Sequence, residues 1–98
     1  LVDVIENEQL PVGYSVQQNY PNPFNPTTNI QFSIPKTEFV TLRIYNLLGQ
    51  EVATLVSEKL KPGNYTYTWN AGSLASGVYL CHMQAGNFLE TRKMILIR

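Results

Sequence analysis

The stretch Val40-Thr41-Leu42-Arg43-Ile44-Tyr45 alternates apolar and polar side chains and decides the fold class of the chain. Successive side chains of a strand point to opposite faces of a sheet, so its three aliphatic residues are predicted to face a core. The earlier stretch Ile30-Gln31-Phe32-Ser33-Ile34 repeats the pattern, and Pro35 ends it because proline has no backbone N–H for a sheet ladder. Both stretches therefore predict half-buried β-strands.

Strand signals continue on both sides of this pair. A short alternating stretch predicts a strand over residues 14–18, and Tyr65-Thr66-Tyr67-Thr68-Trp69 alternates with a dense aromatic face. Residues 77–85 and 88–97 are predicted to pair as a hairpin around the tight turn Gly86-Asn87. The alternation in the last strand leaves open which of its faces is buried.

Residues 51–60 carry an ambiguous pattern, because their apolar residues follow the i, i+3, i+4, i+8 spacing of one helix face but also fit a strand. We predict a strand over residues 51–56, since the neighbouring segments are all strands. About seven short strands and no convincing helix predict an all-β fold, an antiparallel immunoglobulin-like β-sandwich. The Cys…Trp…Cys framework of antibody domains is absent.

A proline-rich segment, Gln18-Asn19-Tyr20-Pro21-Asn22-Pro23-Phe24-Asn25-Pro26-Thr27-Thr28, precedes these strands. Proline fixes φ and biases the preceding residue toward extended backbone, so the segment is predicted to be a stiff extended strap. The exposed edges of a sandwich need protection, and we expect the strap to cover one of them. Lys36 and Lys93 are further candidates for edge protection.

The composition describes one domain with a formal net charge of zero. Of 98 residues, 44% are hydrophobic, and seven basic side chains cancel seven acidic ones, which argues against nucleic acid or an anionic membrane as a partner. Residues 1–13 are predicted to be a linker or tail from an upstream protein, and residues 14–98 the domain. The chain has no signal peptide or membrane-span pattern and does not start with Met, so we expect it to be excised from a longer protein.

The titratable residues do not form a catalytic or metal-binding set. The chain has one histidine, His82, and one aspartate, Asp3. Cys81 adjoins His82 in a predicted strand, so the two side chains point to opposite faces and do not pair. A lone cysteine and a lone histidine do not make a zinc site, and no phosphate-binding glycine loop occurs. We therefore expect no enzymatic activity, no metal and no cofactor, and Cys81 is predicted to be a small buried hydrophobe.

Two other functions remain open from the residues alone. Tyr65, Tyr67 and Trp69 would form a sugar-stacking platform if they faced solvent, which predicts an accessory carbohydrate- or protein-binding module of a secreted hydrolase. Three aromatics at this spacing are more often one face of a core strand. A purely structural immunoglobulin-like spacer is the other alternative.

Several motifs occur in a fixed order along residues 10–98. They are Tyr20-Pro21-Asn22-Pro23-Phe24-Asn25-Pro26, Ile44-Tyr45-Asn46-Leu47-Leu48-Gly49-Gln50, Trp69-Asn70-Ala71, Ser76-Gly77-Val78-Tyr79 and Lys93-Met94-Ile95-Leu96-Ile97-Arg98. In this order they resemble the type IX secretion C-terminal sorting domain of Bacteroidetes-type bacteria, and more distantly the immunoglobulin-like domain of the flagellar hook-capping protein. Leu80-Cys81-His82-Met83 departs from the usual family pattern, where further aromatics and an arginine are common.

The resemblance implies a non-catalytic secretion signal. Such domains follow a cargo domain in the same chain, which passes through the periplasm. The type IX translocon in the outer membrane recognises them. A sortase-like peptidase commonly removes them and attaches the cargo to a lipopolysaccharide anchor. The implied location is the cell surface or the extracellular space, without membrane insertion. The residues that match the family's recognition motifs are Pro21, Pro23, Gly49, Gly77, Tyr79 and Lys93.

Overall fold

Alternating side chains build two antiparallel sheets in the computed structural model, which describes residues 10–98. The strands are β1 (Ser15–Val16), β2 (Thr27–Ile34), β3 (Glu38–Asn46), β4 (Glu51–Leu60), β5 (Gly63–Asn70), β6 (Gly77–Ala85) and β7 (Phe88–Leu96). One sheet has the order β1-β2-β5 and the other β4-β3-β6-β7. The predicted all-β sandwich of about seven strands is confirmed.

Two hairpins, β3–β4 and β6–β7, lie within the four-stranded sheet, and the connections β2–β3, β4–β5 and β5–β6 cross from one sheet to the other. In a constant-type immunoglobulin domain the fourth strand pairs with the fifth. Here β4 pairs with β3, so it lies in the sheet that does not contain β5. This arrangement makes β7 and β4 the two outer strands of the larger sheet.

The inner faces of the sheets enclose one apolar core. Its most deeply buried side chains are Ile30, Phe32 and Ile34 of β2, Val40, Leu42 and Ile44 of β3, Cys81 and Met83 of β6, and Met94 and Leu96 of β7. The face of β7 that the sequence left open is therefore the one that carries Met94 and Leu96. This core accounts for the alternation that predicted β2 and β3.

The aromatic face of β5 also points inward. Phe32 stacks on Tyr65 and Tyr67 at ring-centroid distances of 5.3 and 5.8 Å, and Trp69 is buried at 5% exposure. The three aromatics therefore do not form an exposed platform. The sequence basis for the carbohydrate-binding alternative is lost at these positions.

Two strand boundaries differ from the prediction. β1 is confined to Ser15–Val16, and the N–H of Gln17 still donates to the carbonyl of Gln31 at 2.8 Å before the chain enters the proline-rich segment. β4 runs to Leu60, past the predicted end at residue 56, and its register against β3 shifts twice. Each shift is an irregularity of the bulge type that breaks the two-residue period, which explains why β4 also fitted a helix.

The N-terminal side of the described chain leaves one prediction untested. Leu10 and Val12 are exposed, and residues 1–9 lie outside the described part, so the linker predicted for residues 1–13 stays a prediction. Lys36 lies between β2 and β3 next to Glu38, and not on an outer strand, so its predicted role in edge protection is wrong. Within residues 10–98, no helix is long and apolar enough to cross a membrane.

Candidate recognition surface at the end of β7

The proline-rich segment lies along the last part of the outer edge of β7. The backbone N–H of Phe24 donates to the carbonyl of Ile95 at 2.9 Å, and the N–H of Ile97 donates to the carbonyl of Phe24 at 3.0 Å. Asn22 Oδ1 accepts a hydrogen bond from the backbone N–H of Ile95 at 2.9 Å. The predicted edge cover is therefore present, and the edge that it covers belongs to the C-terminal strand.

The shape of the segment differs from the predicted extended strap. The backbone bends at residues 21–23 and again at 25–26, and the three prolyl peptide bonds are cis. Side chains that the sequence did not single out hold the first bend. Buried Asn19 donates to the hydroxyl of Thr28 at 2.9 Å, and both side chains donate to the carbonyl of Pro21.

Phe24 fixes the second bend in the core. Its ring is 2% exposed and packs against Trp69 at a centroid distance of 5.6 Å. Burying a phenylalanine contributes about 2 kcal/mol from the hydrophobic effect alone. The segment is therefore anchored on one side by an apolar side chain and on the other by the backbone of β7.

The covered part of the β7 edge ends at Lys93. In an antiparallel ladder, the N–H and C=O of alternate residues point to the same side, so Leu89, Thr91 and Lys93 share the outward direction of Ile95. Gln18 Nε2 donates to the carbonyl of Lys93 at 2.6 Å. No strand of the described chain lies beyond β7, so the outward N–H groups of Leu89, Thr91 and Lys93 face solvent along an open edge.

A depression of about 290 Å³ adjoins this open edge on the outer face of the four-stranded sheet. Tyr45 of β3 lies opposite Leu80 of β6, and Leu80 lies opposite Lys93 of β7. His82 Nδ1 and Thr91 Oγ1 are 2.9 Å apart at the side of the depression. The lining is mainly apolar, and Lys93 lies beside it on β7, opposite Leu80.

The turn between β3 and β4 forms the opposite wall of this depression. Asn46 Oδ1 accepts hydrogen bonds from the N–H groups of Leu48 and Gln50 at 2.9 and 3.0 Å. Gly49 closes the turn with φ of 84°, in the left-handed region where glycine has no Cβ penalty. The turn therefore holds Leu47 and Leu48 in an exposed position, at 67% and 83% exposure.

The family model described as "Secretion system C-terminal sorting domain" matches residues 18–98. The chain belongs to this family of secretion sorting domains. A similar solved structure is that of PorZ, described as an essential bacterial surface component of the type-IX secretion system of Porphyromonas gingivalis, with a TM-score of 0.57 and 20% identity. The match covers 88% of this chain and 12% of the PorZ chain, and it shows a shared fold. No curated protein matches.

Most of the residues of the sorting domain that match the family's recognition motifs lie around β7. Pro21 and Pro23 flank Asn22, which binds the backbone of Ile95. Gly77 and Tyr79 lie opposite Leu96 and Met94 across the β6–β7 ladder. This group surrounds the C-terminal half of the last strand, and Gly49 lies apart from it on the wall of the depression.

Tyr79 and Lys93 have different environments within the sorting domain. The Tyr79 ring is buried and meets Trp69 edge-on at 5.9 Å, and its hydroxyl donates to the carbonyl of Ala75 at 2.6 Å. Tyr79 thus anchors its strand at the rim of the core, because its ring is buried and its hydroxyl has a hydrogen-bond partner. The Lys93 side chain is exposed and makes no ion pair with any residue of the described chain.

Cys81 and His82 of the sorting domain point to opposite faces, as expected. Cys81 is buried in the core, and burial raises the pKa of its thiol to about 12. His82 lies on the outer face, edge-on to Tyr45 at a centroid distance of 6.3 Å. Because the thiol stays protonated and away from the imidazole, the pair has no nucleophile–base geometry.

Proposed function

We propose that the secretion machinery recognises this sorting domain at the open edge of β7. The observation that carries the proposal is the divided edge. The proline-rich segment binds the backbone from Lys93 to Ile97, whereas the outward groups of Leu89 and Thr91 face solvent. Natural sandwiches usually protect a long outer strand, so an edge left half open is suited to a partner strand.

A partner strand on this edge would form main-chain hydrogen bonds with Leu89, Thr91 and Lys93. Main-chain bonds give affinity in this binding mode, and side-chain pockets give specificity. The depression beside Leu80 offers an apolar pocket within reach, and the Lys93 cation offers a partner for a carboxylate. The turn with the exposed Leu47 and Leu48 extends the apolar surface on the far side.

The covered part of the β7 edge, from Lys93 to Ile97, has a separate role in this proposal. Pro21 and Pro23 present no N–H to a partner, and the bend at residues 21–23 brings Asn22 and Phe24 to the edge of β7. Gly77 and Tyr79 support the same strand from β6. We therefore assign Pro21, Pro23, Gly77 and Tyr79 to building the signal, and Lys93 and Gly49 to the surface that is read.

We also propose the route that family membership implies. The cargo precedes this domain in the same precursor, crosses the inner membrane by a signal peptide, and passes through the periplasm to the type IX translocon of the outer membrane. A sortase-like peptidase then removes the domain and attaches the cargo to a surface anchor. In this role the domain works by recognition, without catalysis of its own.

The proposal is tested by secretion of a reporter protein fused in front of residues 1–98 in a host with type IX secretion. The fusion should reach the cell surface, and deletion of residues 92–98 should leave it in the periplasm. Lys93→Ala should retain its melting temperature and lose surface delivery, whereas Lys59→Ala, at an exposed position on β4, should be delivered normally. Normal delivery of the truncated fusion would overturn the proposal.

A further inference from the structure

The outer face of the three-stranded sheet carries polar side chains without charge. The outward residues are Thr27, Asn29, Gln31 and Ser33 of β2 and Asn64, Thr66, Thr68 and Asn70 of β5. On the β1 side the face continues with Ser15 and Gln17. Amide and hydroxyl groups thus cover the whole face within the described chain, and neither a carboxylate nor a cation projects from these strands on this side.

Part of this face is already paired within the sheet. Thr68 Oγ1 donates to Asn29 Oδ1 at 2.7 Å, and the hydroxyls of Ser15 and Ser33 are 2.7 Å apart. The next row differs, because Gln31 lies opposite Thr66 in the ladder without a hydrogen bond between their side chains. Within residues 10–98, the side chains of Gln17, Gln31 and Thr66 have no hydrogen-bond partner and are exposed.

These unpaired groups line two neighbouring depressions. One depression of about 170 Å³ includes Gln17, Gln31 and Thr66, and a second of about 270 Å³ includes Gln17, Gln31 and Tyr20. The two share both glutamines, so they lie side by side on the face, and we call them together the trough. Tyr20 forms one end of the trough with 79% of its surface exposed, although a backbone bridge to Asn29 fixes its position.

The chemistry of the trough selects a class of ligand. An amide both donates and accepts hydrogen bonds, as does a sugar hydroxyl, and a flat aromatic ring offers an apolar surface to the C–H face of a sugar ring. Phosphate, sulfate and carboxylate ligands would need a cation that this face does not present. The trough is therefore matched to a ligand that is neutral, rich in hydroxyl groups and extended.

We propose that this face binds a neutral polysaccharide chain, with Tyr20 stacking on one sugar ring and Gln17 and Gln31 hydrogen-bonding its hydroxyls. The site lies on the three-stranded sheet, and Gln18, which lines its second depression, reaches the carbonyl of Lys93 at the β7 edge. None of the residues proposed to bind the glycan is assigned to sorting. Binding of surface or extracellular glycan would be a second activity of the domain. It differs from the alternative that the sequence raised, since Tyr65, Tyr67 and Trp69 face the core on the other side of the same sheet.

The test is affinity electrophoresis of the 98-residue chain in gels that contain neutral polysaccharides, namely a xylan, a mannan, a β-1,3-glucan and a β-1,4-glucan, with alginate as an anionic control. At least one neutral polymer should retard the protein, and alginate should not. Tyr20→Ala and Gln31→Ala should each weaken binding about tenfold, since one aromatic contact or one hydrogen-bonded amide has about that worth.

Gln84→Ala is the matched control, because Gln84 is an exposed amide on the outer face of the other sheet. It should bind like the unchanged protein. The proposal is overturned if none of the four neutral polymers retards the protein, or if Tyr20→Ala and Gln31→Ala bind as Gln84→Ala does. The readout is glycan binding and not secretion, so a negative result would leave the proposed sorting role unaffected.

Discussion

The side chain of Asn22 accepts a hydrogen bond from the backbone N–H of Ile95 at 2.9 Å, and so joins two residues that are 73 positions apart in the chain. A strand at the edge of a sheet would normally offer this N–H to another strand. Asn22 takes that place with a side-chain amide, held between two prolines that have no N–H of their own. The start of the domain thus completes the edge of its last strand.

We predict that Asn22→Ala lowers the free energy of unfolding by about 1 kcal/mol, because it leaves the N–H of Ile95 without its partner. Amide hydrogen exchange at Ile95 should speed up relative to amides of the β3–β6 ladder. Asn25→Ala is the control, since Asn25 is an exposed asparagine that precedes the third proline of the same segment. Equal exchange at Ile95 in both variants would contradict this account of the edge.

The turn at Gly49 gives a second prediction. Gly49→Ala should destabilise the domain by about 1 kcal/mol, because φ is 84° and no neighbouring atom lies near the added Cβ, so the cost is conformational. Gly49→Asn should cost less, since asparagine tolerates this region better. Gly13→Ala, at a glycine with open space and no positive φ, should be close to neutral in denaturant unfolding. A larger loss from Gly13→Ala would refute the argument.

Cys81 should be inert in the folded protein. Its thiol is buried and has its pKa raised to about 12, so at pH 8 the thiolate fraction is on the order of 10⁻⁴. We expect a thiol reagent such as DTNB to leave the native domain unmodified and to modify one thiol per chain in denaturant. Fast modification under native conditions would show that Cys81 is accessible.

Tyr14 and Glu38 should make the stability of the domain sensitive to high pH. Tyr14 donates a hydrogen bond to Glu38 Oε2 at 2.5 Å, and this bond, with burial and the charge of Glu38, raises the pKa of the tyrosine above its usual value of 10.0. A raised pKa stabilises the fold below pH 10, and that contribution is lost as the pH rises through the folded-state pKa. The unfolding free-energy difference between the unchanged protein and Tyr14→Phe should therefore hold from pH 7 to 9 and shrink above pH 10. A difference that stays constant up to pH 11.5 would contradict the assignment.

The strands were predictable where one face is buried and the other is exposed to solvent, because apolar and polar residues then alternate along the strand. Val40, Leu42 and Ile44 are fully buried in the order that the sequence predicted. β4 was less predictable, because two register shifts break the two-residue period of its side chains and the strand extends to Leu60. Local pattern does not encode a bulge, which depends on how the partner strand fits.

The surface at the end of β7 was only partly predictable. Proline content predicted an edge cover, but not which edge, since that depends on contacts between residues 22–24 and Ile95 at the other end of the sequence. Asn19 and Thr28 gave no signal in the sequence, because a buried polar pair is recognisable only from its geometry.

The most direct test of the account is the surface fraction of the reporter fusion when Thr91 is changed to proline. The N–H of Thr91 points outward from the edge of β7, so proline removes a donor from the open edge and leaves the β6–β7 ladder intact. Thr91→Val is the control, because it also removes the contact with His82 but keeps the N–H. We predict that both variants fold with similar melting temperatures, that Thr91→Val reaches the surface and that Thr91→Pro stays in the periplasm. Equal surface delivery of the two variants would contradict recognition at the β7 edge.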